Sequence, residues 1–202
     1  MKRLVVLASG NGSNLQAILD ACDNEILSAE VVAVISDRKS AFALTRAQTH
    51  QIPTIYHPWA PYQKSNQTRL VYDADLASKI IVYRPDYLIL AGWMRLLTMS
   101  FLKHFPMKVI NLHPALPGTF PGTHAIEKAY DAYQQNKIIN TGVMVHFVPD
   151  EGVDNGPVIV QEIVPIKSSD TVKTLEERIH DVEHRLLINA LKQVVNNKNY
   201  FV

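Results

Sequence analysis

A short polar segment in the second half of the chain carries the side chains best suited to proton transfer. Residues 109–124 read VINLHPALPGTFPGTH, and Asn111 and His113 flank Leu112 where an apolar run ends. If that run is a β-strand, alternation directs both polar side chains to one face. An imidazole can transfer a proton near neutral pH, and an amide can donate a hydrogen bond to a developing oxyanion. The alternative is a hydrogen-bonded core histidine followed by a loop that the prolines merely shape.

An acidic turn further along the chain is the second candidate for chemistry. Residues 150–157 read DEGVDNGP and precede an apolar, strand-like run. A carboxylate beside an imidazole favours the charged ring and raises its pKa. Asp154 is therefore a candidate partner for His113, but the spacing alone leaves their contact open.

The third candidate is a glycine-rich loop near the start of the chain. Residues 9–14 read SGNGSN and join an apolar run to a helical pattern. Backbone N–H groups at a helix N-terminus form an anion site, most often for phosphate. Gly12, Ser13 and Asn14 favour a phosphomonoester. The alternative is an ordinary tight turn in which Ser13 or Asn14 caps the helix.

A dinucleotide is the other ligand that such a loop suggests. Gly10 and Gly12 match the first two glycines of the G-x-G-x-x-G fingerprint, but Leu15 stands in place of the third. Asp37 ends the second strand-like run, where a ribose-binding acid would lie. The incomplete match makes the dinucleotide the weaker interpretation.

The elements that must position these groups alternate between strand and helix. Predicted strands span residues 4–7, 31–35, 54–56 and 87–91 and begin again at 109; predicted helices follow residue 14 and span 41–50, 68–83 and 171–195. Residues 143–148 and 158–164 read as an antiparallel pair, because no helix fits between them. This order predicts an α/β fold with a mostly parallel sheet covered by helices on both faces. One domain over residues 1–202 is expected.

The helix predicted over residues 68–83 has an apolar side that we expect to face the core. That side consists of Leu70, Val71, Leu76, Ile80 and Ile81. Trp59, Trp93 and Met94 are interpreted as packing residues rather than as part of a cofactor site.

Composition excludes several functional classes. The 202 residues carry 20 basic and 19 acidic side chains, a net charge of +1, which argues against a nucleic-acid surface. The single cysteine, Cys22, cannot form an internal disulfide and weakly favours a reducing compartment. The apolar run at residues 4–8 is too short for a signal peptide, and no stretch is long enough for a membrane helix. A cytoplasmic protein without a membrane partner is expected.

Five segments together resemble the phosphoribosylglycinamide formyltransferases, a family of folate-dependent enzymes. They are residues 7–16, 91–95, 111–114, 120–122 and 153–157. The Asn-x-His-Pro segment with a distant aspartate is shared by folate-dependent formyltransferases in general, whereas the loop at residues 9–14 is specific to the glycinamide enzymes. The resemblance extends from about Arg3 to Val195. It implies a three-layer, Rossmann-like formyltransferase fold.

The resemblance also implies an activity and the ligands that go with it. The family transfers formyl from 10-formyltetrahydrofolate, a co-substrate, to the amine of glycinamide ribonucleotide in de novo purine (IMP) biosynthesis. No metal is required. The implied partners are these two small molecules, with no nucleic acid and no membrane, and the chain is expected to be a monomer or a homodimer.

The same resemblance assigns residues to roles. Asn111, His113 and Asp154 are implied to be catalytic. Gly12, Ser13 and Asn14 are implied to bind the substrate phosphate, and His180 and Glu183 its ribose and glycinamide. The implied folate site comprises Arg69, Met94, Arg95, Leu96, Leu97, Asn111, Asp150, Glu151, Gly152, Val153 and Asp154.

The sequence departs from the family pattern at a few positions. Ala115 stands where the family usually has Ser, Pro117-Gly118 replaces a more usual Leu-Pro, and Val143 replaces a common Thr. The acidic turn is one residue longer than in some relatives. These departures bear on loop geometry and leave the catalytic set intact.

Rival functions remain open at this stage. Residues 180–184 read HDVEH and fit a zinc-peptidase pattern, H-x-x-E-H, but no third ligand is evident. A methionyl-tRNA formyltransferase would need a further C-terminal domain and a basic surface, and a formyltetrahydrofolate hydrolase usually has a further N-terminal domain. A hydrolase-like enzyme and a non-catalytic nucleotide-binding module are the alternatives retained.

Overall fold

The computed structural model describes residues 1–196; the last six residues of the predicted domain lie outside this range. Its strands are β1 (Lys2–Leu7), β2 (Ala29–Ser36), β3 (Thr54–Tyr56), β4 (Tyr87–Leu90), β5 (Val109–His113), β6 (Asn140–Phe147) and β7 (Val158–Pro165). Its helices are α1 (Ser13–Asp23), α2 (Phe42–Thr49), α3 (Ala60–Lys64), α4 (Arg69–Ile81), α5 (Met99–Leu102), α6 (Ala125–Gln134) and α7 (Val172–Asn196).

All these strands belong to one mixed sheet with the order β3-β2-β1-β4-β5-β6-β7. The first five strands pair in parallel, whereas β6 pairs antiparallel with both β5 and β7. The predicted class is confirmed: a mostly parallel sheet with antiparallel pairing in the last third of the chain.

Hydrophobic cores lie on both faces of the sheet. Along β1, Leu4 and Val6 pack into the core that also contains α1, α2, α6 and α7, while Val5 and Leu7 pack into the core beneath α4 and α5. Successive side chains of a strand point to opposite faces, so a strand between two helical layers must be apolar at every position. This explains the uninterrupted apolar run from which β1 was predicted.

The apolar face predicted for α4 is partly wrong: Leu76 and Ile80 are buried, but the other three residues are not. Leu70 and Val71, at the start of the helix, and Ile81, at its end, are exposed. The buried side chains are Tyr72, Asp73, Leu76, Ala77 and Ile80. Asp73 lies among the buried residues and interrupts their apolar pattern. The sequence therefore makes the outer face of α4 look more apolar than the inner face.

Three short helices were not predicted. α3 begins in a proline-containing segment, α5 has only four residues, and α6 follows a residue with left-handed backbone, His124. Each is too short or too polar to produce a clear periodic pattern. The other predicted elements are present, with ends that differ by a few residues.

The topology brings the candidate residues to one edge of the sheet. β1, β4 and β5 are adjacent and parallel, so the ends of β1 and β4 at Leu7 and Leu90 lie level with Asn111, two residues before His113. In open α/β sheets, ligands bind beyond the carboxyl ends of the strands. Within residues 1–196, no helix combines the length and apolarity needed to cross a membrane.

The corrected orientation of α4 can be tested with two neighbouring alanine substitutions. Ile80 is 0% exposed and Ile81 is 44% exposed. Ile80→Ala should lower the free energy of unfolding by about 2–5 kcal/mol, because it leaves a cavity in the core. Ile81→Ala should change it by less than about 0.5 kcal/mol, as surface substitutions usually do. Urea titration of both variants measures these values, and equal losses would contradict the assigned face.

Candidate active site

His113 and Asp154 meet at the edge of the sheet although they are distant in the chain. His113 ends β5 and is 4% exposed. Its Nδ1 lies 3.4 Å from Asp154 Oδ2, and its Nε2 lies 3.1 Å from the carbonyl oxygen of Phe120. The ring therefore has an oxygen acceptor at each nitrogen, which fixes its plane.

The net electrostatic effect on His113 is opposite to the one predicted. Burial lowers the pKa of His113, while the Asp154 carboxylate and the Phe120 carbonyl raise it; the result lies below the ordinary value. Burial alone would raise the pKa of Asp154, but the His146 ring, the Gly122 amide and His113 lower it below its ordinary value. Burial thus disfavours the protonated form of His113, whereas the contacts of Asp154 favour its ionised form.

Asn111 and His146 complete the cluster from neighbouring strands. The antiparallel register of β5 and β6 places Asn111 opposite His146. The Asn111 amide nitrogen donates to Asp154 Oδ1 at 2.9 Å and lies 3.2 Å from His146 Nε2. His146 is buried, and its Nδ1 lies 2.8 Å from the carbonyl of Phe147. One amide hydrogen of Asn111 is therefore engaged with the carboxylate, and the other faces an imidazole.

Two strained residues carry the groups that contact the His113 ring. Phe120 has φ 46° and Asp154 has φ 50°, both in the left-handed region that non-glycine residues seldom occupy. The amide of Gly122 donates to Asp154 Oδ2 at 2.8 Å, so the proline-rich loop after β5 also holds this carboxylate. Unfavourable backbone conformations that the surrounding structure enforces are common at functional sites.

The glycine-rich loop lies between β1 and α1, as predicted, but neither Ser13 nor Asn14 caps the helix. Gly12 occupies the cap position with φ 77°, and no side chain bonds to the cap. A Cβ on Gly12 would lie 2.8 Å from Ala43 of α2, so only glycine fits there. The loop thus keeps its first-turn N–H groups free of a side-chain cap.

Arg46 of α2 secures this loop and was not identified from the sequence. Its guanidinium donates to the carbonyl of Asn11 at 3.0 Å, to Asn11 Oδ1 at 2.9 Å and to Gln16 Oε1 at 2.9 Å. These bonds connect elements far apart in the chain, so no local motif indicated them. His146 did give a signal, because it interrupts an apolar strand.

The helix residues proposed for the ribonucleotide lie beside this loop. Asn14 Nδ2 donates to Glu183 Oε2 at 3.3 Å, and His180 Nε2 lies 3.9 Å from the same carboxylate oxygen. Glu183 is buried, and burial raises its pKa above the ordinary value despite His180 and Asn14. A polar corner thus forms where α1 meets α7.

The segment at residues 94–97, after β4, is the first wall of the candidate folate cleft. Met94 and Leu96 are 56% and 62% exposed, whereas Leu97 is buried. Ser9 Oγ accepts a hydrogen bond from the Met94 amide at 3.0 Å, and Arg69 donates to the Leu96 carbonyl. The apolar side chains are therefore presented to solvent from a well-anchored backbone.

The acidic turn is the second wall of this candidate cleft. Within it, the amide of Gly152 donates to Asp150 Oδ1 at 2.8 Å, and Val153 is 37% exposed. Glu151 reaches across and accepts a hydrogen bond from the Met99 amide at 2.6 Å. The structure thus brings the two sequence segments proposed for the folate together at the same edge of the sheet as His113.

The structure gives no support to the dinucleotide and zinc interpretations of the sequence. Asp37 is buried, and its Oδ2 is already ion-paired with Arg95 at 2.7 Å. Among residues 1–196, no three His, Cys, Asp or Glu side chains gather as a metal site, and this includes His180 and His184. Burial is the main cause of the lowered pKa of His184.

Comparison with known proteins identifies the family. The family model described as Formyl transferase matches residues 2–191. The chain belongs to the formyl transferase family. A phosphoribosylglycinamide formyltransferase of Schizosaccharomyces pombe is 49% identical over 205 residues, which span 96% of this chain and 97% of the relative. One from Escherichia coli K12 is 38% identical, over 91% of this chain and 82% of the relative.

Solved structures agree with this assignment. The crystal structure of a phosphoribosylglycinamide formyltransferase from Bacillus halodurans has a TM-score of 0.89 and 35% identity, with full coverage of both chains. A glycinamide ribonucleotide transformylase from Geobacillus kaustophilus has a TM-score of 0.88 and 38% identity, covering 96% of this chain and 99% of the other. The family resemblance and the fold predicted from the sequence are confirmed.

The electrostatics of the pair can be tested by titrating His113. Its pKa should lie below 6.5 in the wild type and fall further in Asp154→Asn, because the substitution removes a negative charge that favours the imidazolium. NMR of histidine-labelled protein measures both values. Asp150→Asn is the matched control, since Asp150 belongs to the same turn but bonds to Gly152. A pKa that rises in Asp154→Asn would contradict the assigned electrostatics.

Proposed function

We propose that this chain transfers the formyl group of 10-formyltetrahydrofolate to the amine of glycinamide ribonucleotide, a step of de novo purine (IMP) biosynthesis. The observation that carries the proposal is the shared position of the phosphate loop and His113. The loop follows β1 and His113 ends β5, with β4 between them. Two strand spacings are about 10 Å, which suits an extended ribose phosphate with a glycinamide arm.

The ribonucleotide binds along the edge between α1 and α7. Its phosphate accepts hydrogen bonds from the N–H groups and side chains of Gly12, Ser13 and Asn14 at the start of α1. Glu183 and His180 lie next to Asn14 and hydrogen-bond the ribose and the glycinamide arm. This arrangement directs the amine away from the phosphate loop and towards His113.

The folate binds between the two walls of the cleft. The exposed apolar side chains of Met94, Leu96 and Val153 contact its ring system, and the backbone of residues 94–97 and 150–154 hydrogen-bonds the pterin. Arg69 offers a guanidinium, which pairs well with carboxylates such as those of the folate tail. Arg95 and Leu97 keep this wall in place through Asp37 and the core.

The reaction needs no covalent enzyme intermediate. The amine nitrogen attacks the formyl carbon, a C–N bond forms, and the carbonyl oxygen becomes an oxyanion. At Nε2, His113 accepts the proton that the amine loses, as Nε2 leaves the Phe120 carbonyl, and Asp154 at Nδ1 stabilises the resulting imidazolium. The imidazolium stabilises the oxyanion, and Asn111 does so with the amide hydrogen that faces His146 in the resting site. The bond to N10 of the folate then breaks, and the proton passes from His113 to N10.

The lowered pKa of His113 fits this role. A neutral imidazole can accept a proton, and the negative charge of the tetrahedral intermediate then favours the protonated ring.

All the named residues belong to one copy of the chain, so a monomer and a homodimer would carry out the same step. We propose that residues 1–202 form one formyltransferase domain and that it acts in the cytoplasm.

The activity is tested by following folate deformylation by absorbance, with and without glycinamide ribonucleotide. Turnover should require the amine. His113→Ala should lower kcat by at least about 10²-fold, because the transition state loses a positioned acid–base group, while ribonucleotide binding survives. His124→Ala, an exposed histidine that bonds to Glu127, is the control.

Three other results would overturn the assignment. Deformylation that ignores the amine would indicate a hydrolase. Ribonucleotide binding without any turnover in the wild type would indicate a non-catalytic module. Near-normal rates in His113→Ala would remove His113 from the catalytic set.

The phosphate site is tested by substitutions in the loop. Ser13→Ala combined with Asn14→Ala should raise the KM for glycinamide ribonucleotide about tenfold or more, since phosphate donors are lost. Gly12→Ala should have at least as large an effect, because its Cβ collides with Ala43 and its φ is positive. The KM for the folate serves as the internal control and should stay within about twofold. An unchanged ribonucleotide KM in all variants would place the phosphate elsewhere.

A further inference from the structure

Asp73 is a fully buried carboxylate that the proposed chemistry does not use. It lies on the inner face of α4 and is 0% exposed, among aromatic and aliphatic core residues. Both of its oxygens are hydrogen-bonded. Oδ1 accepts from Arg69 Nη2 at 3.0 Å, and Oδ2 accepts from the backbone amide of Thr98 at 2.7 Å.

These two bonds reach the same wall of the cleft from different sides. Thr98 directly follows the segment at residues 94–97, so its amide fixes the end of that segment. Arg69 also donates to the carbonyl of Leu96, two residues earlier. Asp73 therefore anchors the segment once through the backbone and once through a guanidinium that it orients.

A carboxylate is required for both contacts at once. An uncharged amide oxygen could accept the hydrogen bond from Thr98, but it could not balance the charge of Arg69. The guanidinium of Arg69 lies over two aromatic rings, 5.3 Å from that of Trp59 and 5.0 Å from that of Tyr72. Without a charge partner in the core, Arg69 would gain freedom to leave the Leu96 carbonyl.

We propose that Asp73 is a positioning residue that sets the affinity for the folate, an inference that rests on the proposed function. It contacts no reacting group. It acts by holding the backbone of residues 96–98 and the guanidinium of Arg69 in the geometry that the folate meets. The ribonucleotide site at α1 and α7 has its own anchors, Arg46 and Glu183, so the effect should be confined to one substrate.

Asp73→Asn tests this assignment against a matched control. Asp170→Asn changes another buried carboxylate, which pairs with Arg178 at 3.0 Å and accepts from the Lys167 amide at 2.7 Å. Asp73→Asn should raise the folate KM about tenfold, with kcat at saturating folate and the ribonucleotide KM within about twofold of wild type. Asp170→Asn should leave the folate KM unchanged, even where its loss of thermal stability is similar.

Binding of tetrahydrofolate, measured by calorimetry, should weaken by the same factor in Asp73→Asn only. If Asp73→Ala folds, it should weaken tetrahydrofolate binding further than Asp73→Asn does. If it does not fold, the result for Asp73→Asn alone decides whether Asp73 sets the folate affinity. An unchanged folate KM in Asp73→Asn, or equal changes in all kinetic constants of both variants, would overturn the assignment by reducing Asp73 to a stability residue. An inactive wild type would instead refute the proposed function.

Discussion

The candidate site depends on a carboxylate held beside an imidazole with little access to water. An ionised Asp154 is unfavourable there unless polar groups surround it, and Asn111, His146, Gly122 and His113 all contact it or approach it closely. A buried charge without such partners would be costly. The requirement explains why strand β6, the loop after β5 and the acidic turn all meet at one point.

The mixed sheet makes this meeting possible. The parallel strands bring the phosphate loop and His113 to a common edge, because every parallel strand ends on the same side. The antiparallel strand β6 begins at Asn140 and pairs with β5 from Met144, opposite His113, to Phe147, opposite Ile110. The chain then turns back through the acidic turn into β7. The parallel half of the sheet thus carries the candidate phosphate loop, and the antiparallel half brings Asp154 back to His113.

The sequence predicted the elements better than the faces and charges within them. Uninterrupted apolar runs such as that of β1 are read reliably, because burial on both faces leaves no other pattern. The predicted face of α4 included three exposed residues, because Asp73 occupies a core position and a single sequence does not show which polar residues are buried. The pKa of His113 was predicted in the wrong direction for the same reason: proximity to Asp154 could be inferred from the family, but the extent of burial could not.

The two walls of the cleft are attached to the protein in unequal ways. The bond between Thr98 and Asp73 is partly buried, whereas the bond between Met99 and Glu151 that joins the walls is exposed. Exposed hydrogen bonds open at a lower free energy than buried ones. Thermal fluctuation therefore opens the bond between Met99 and Glu151 more readily than the bond between Thr98 and Asp73, so the acidic turn can move away while the segment at residues 94–97 stays in place.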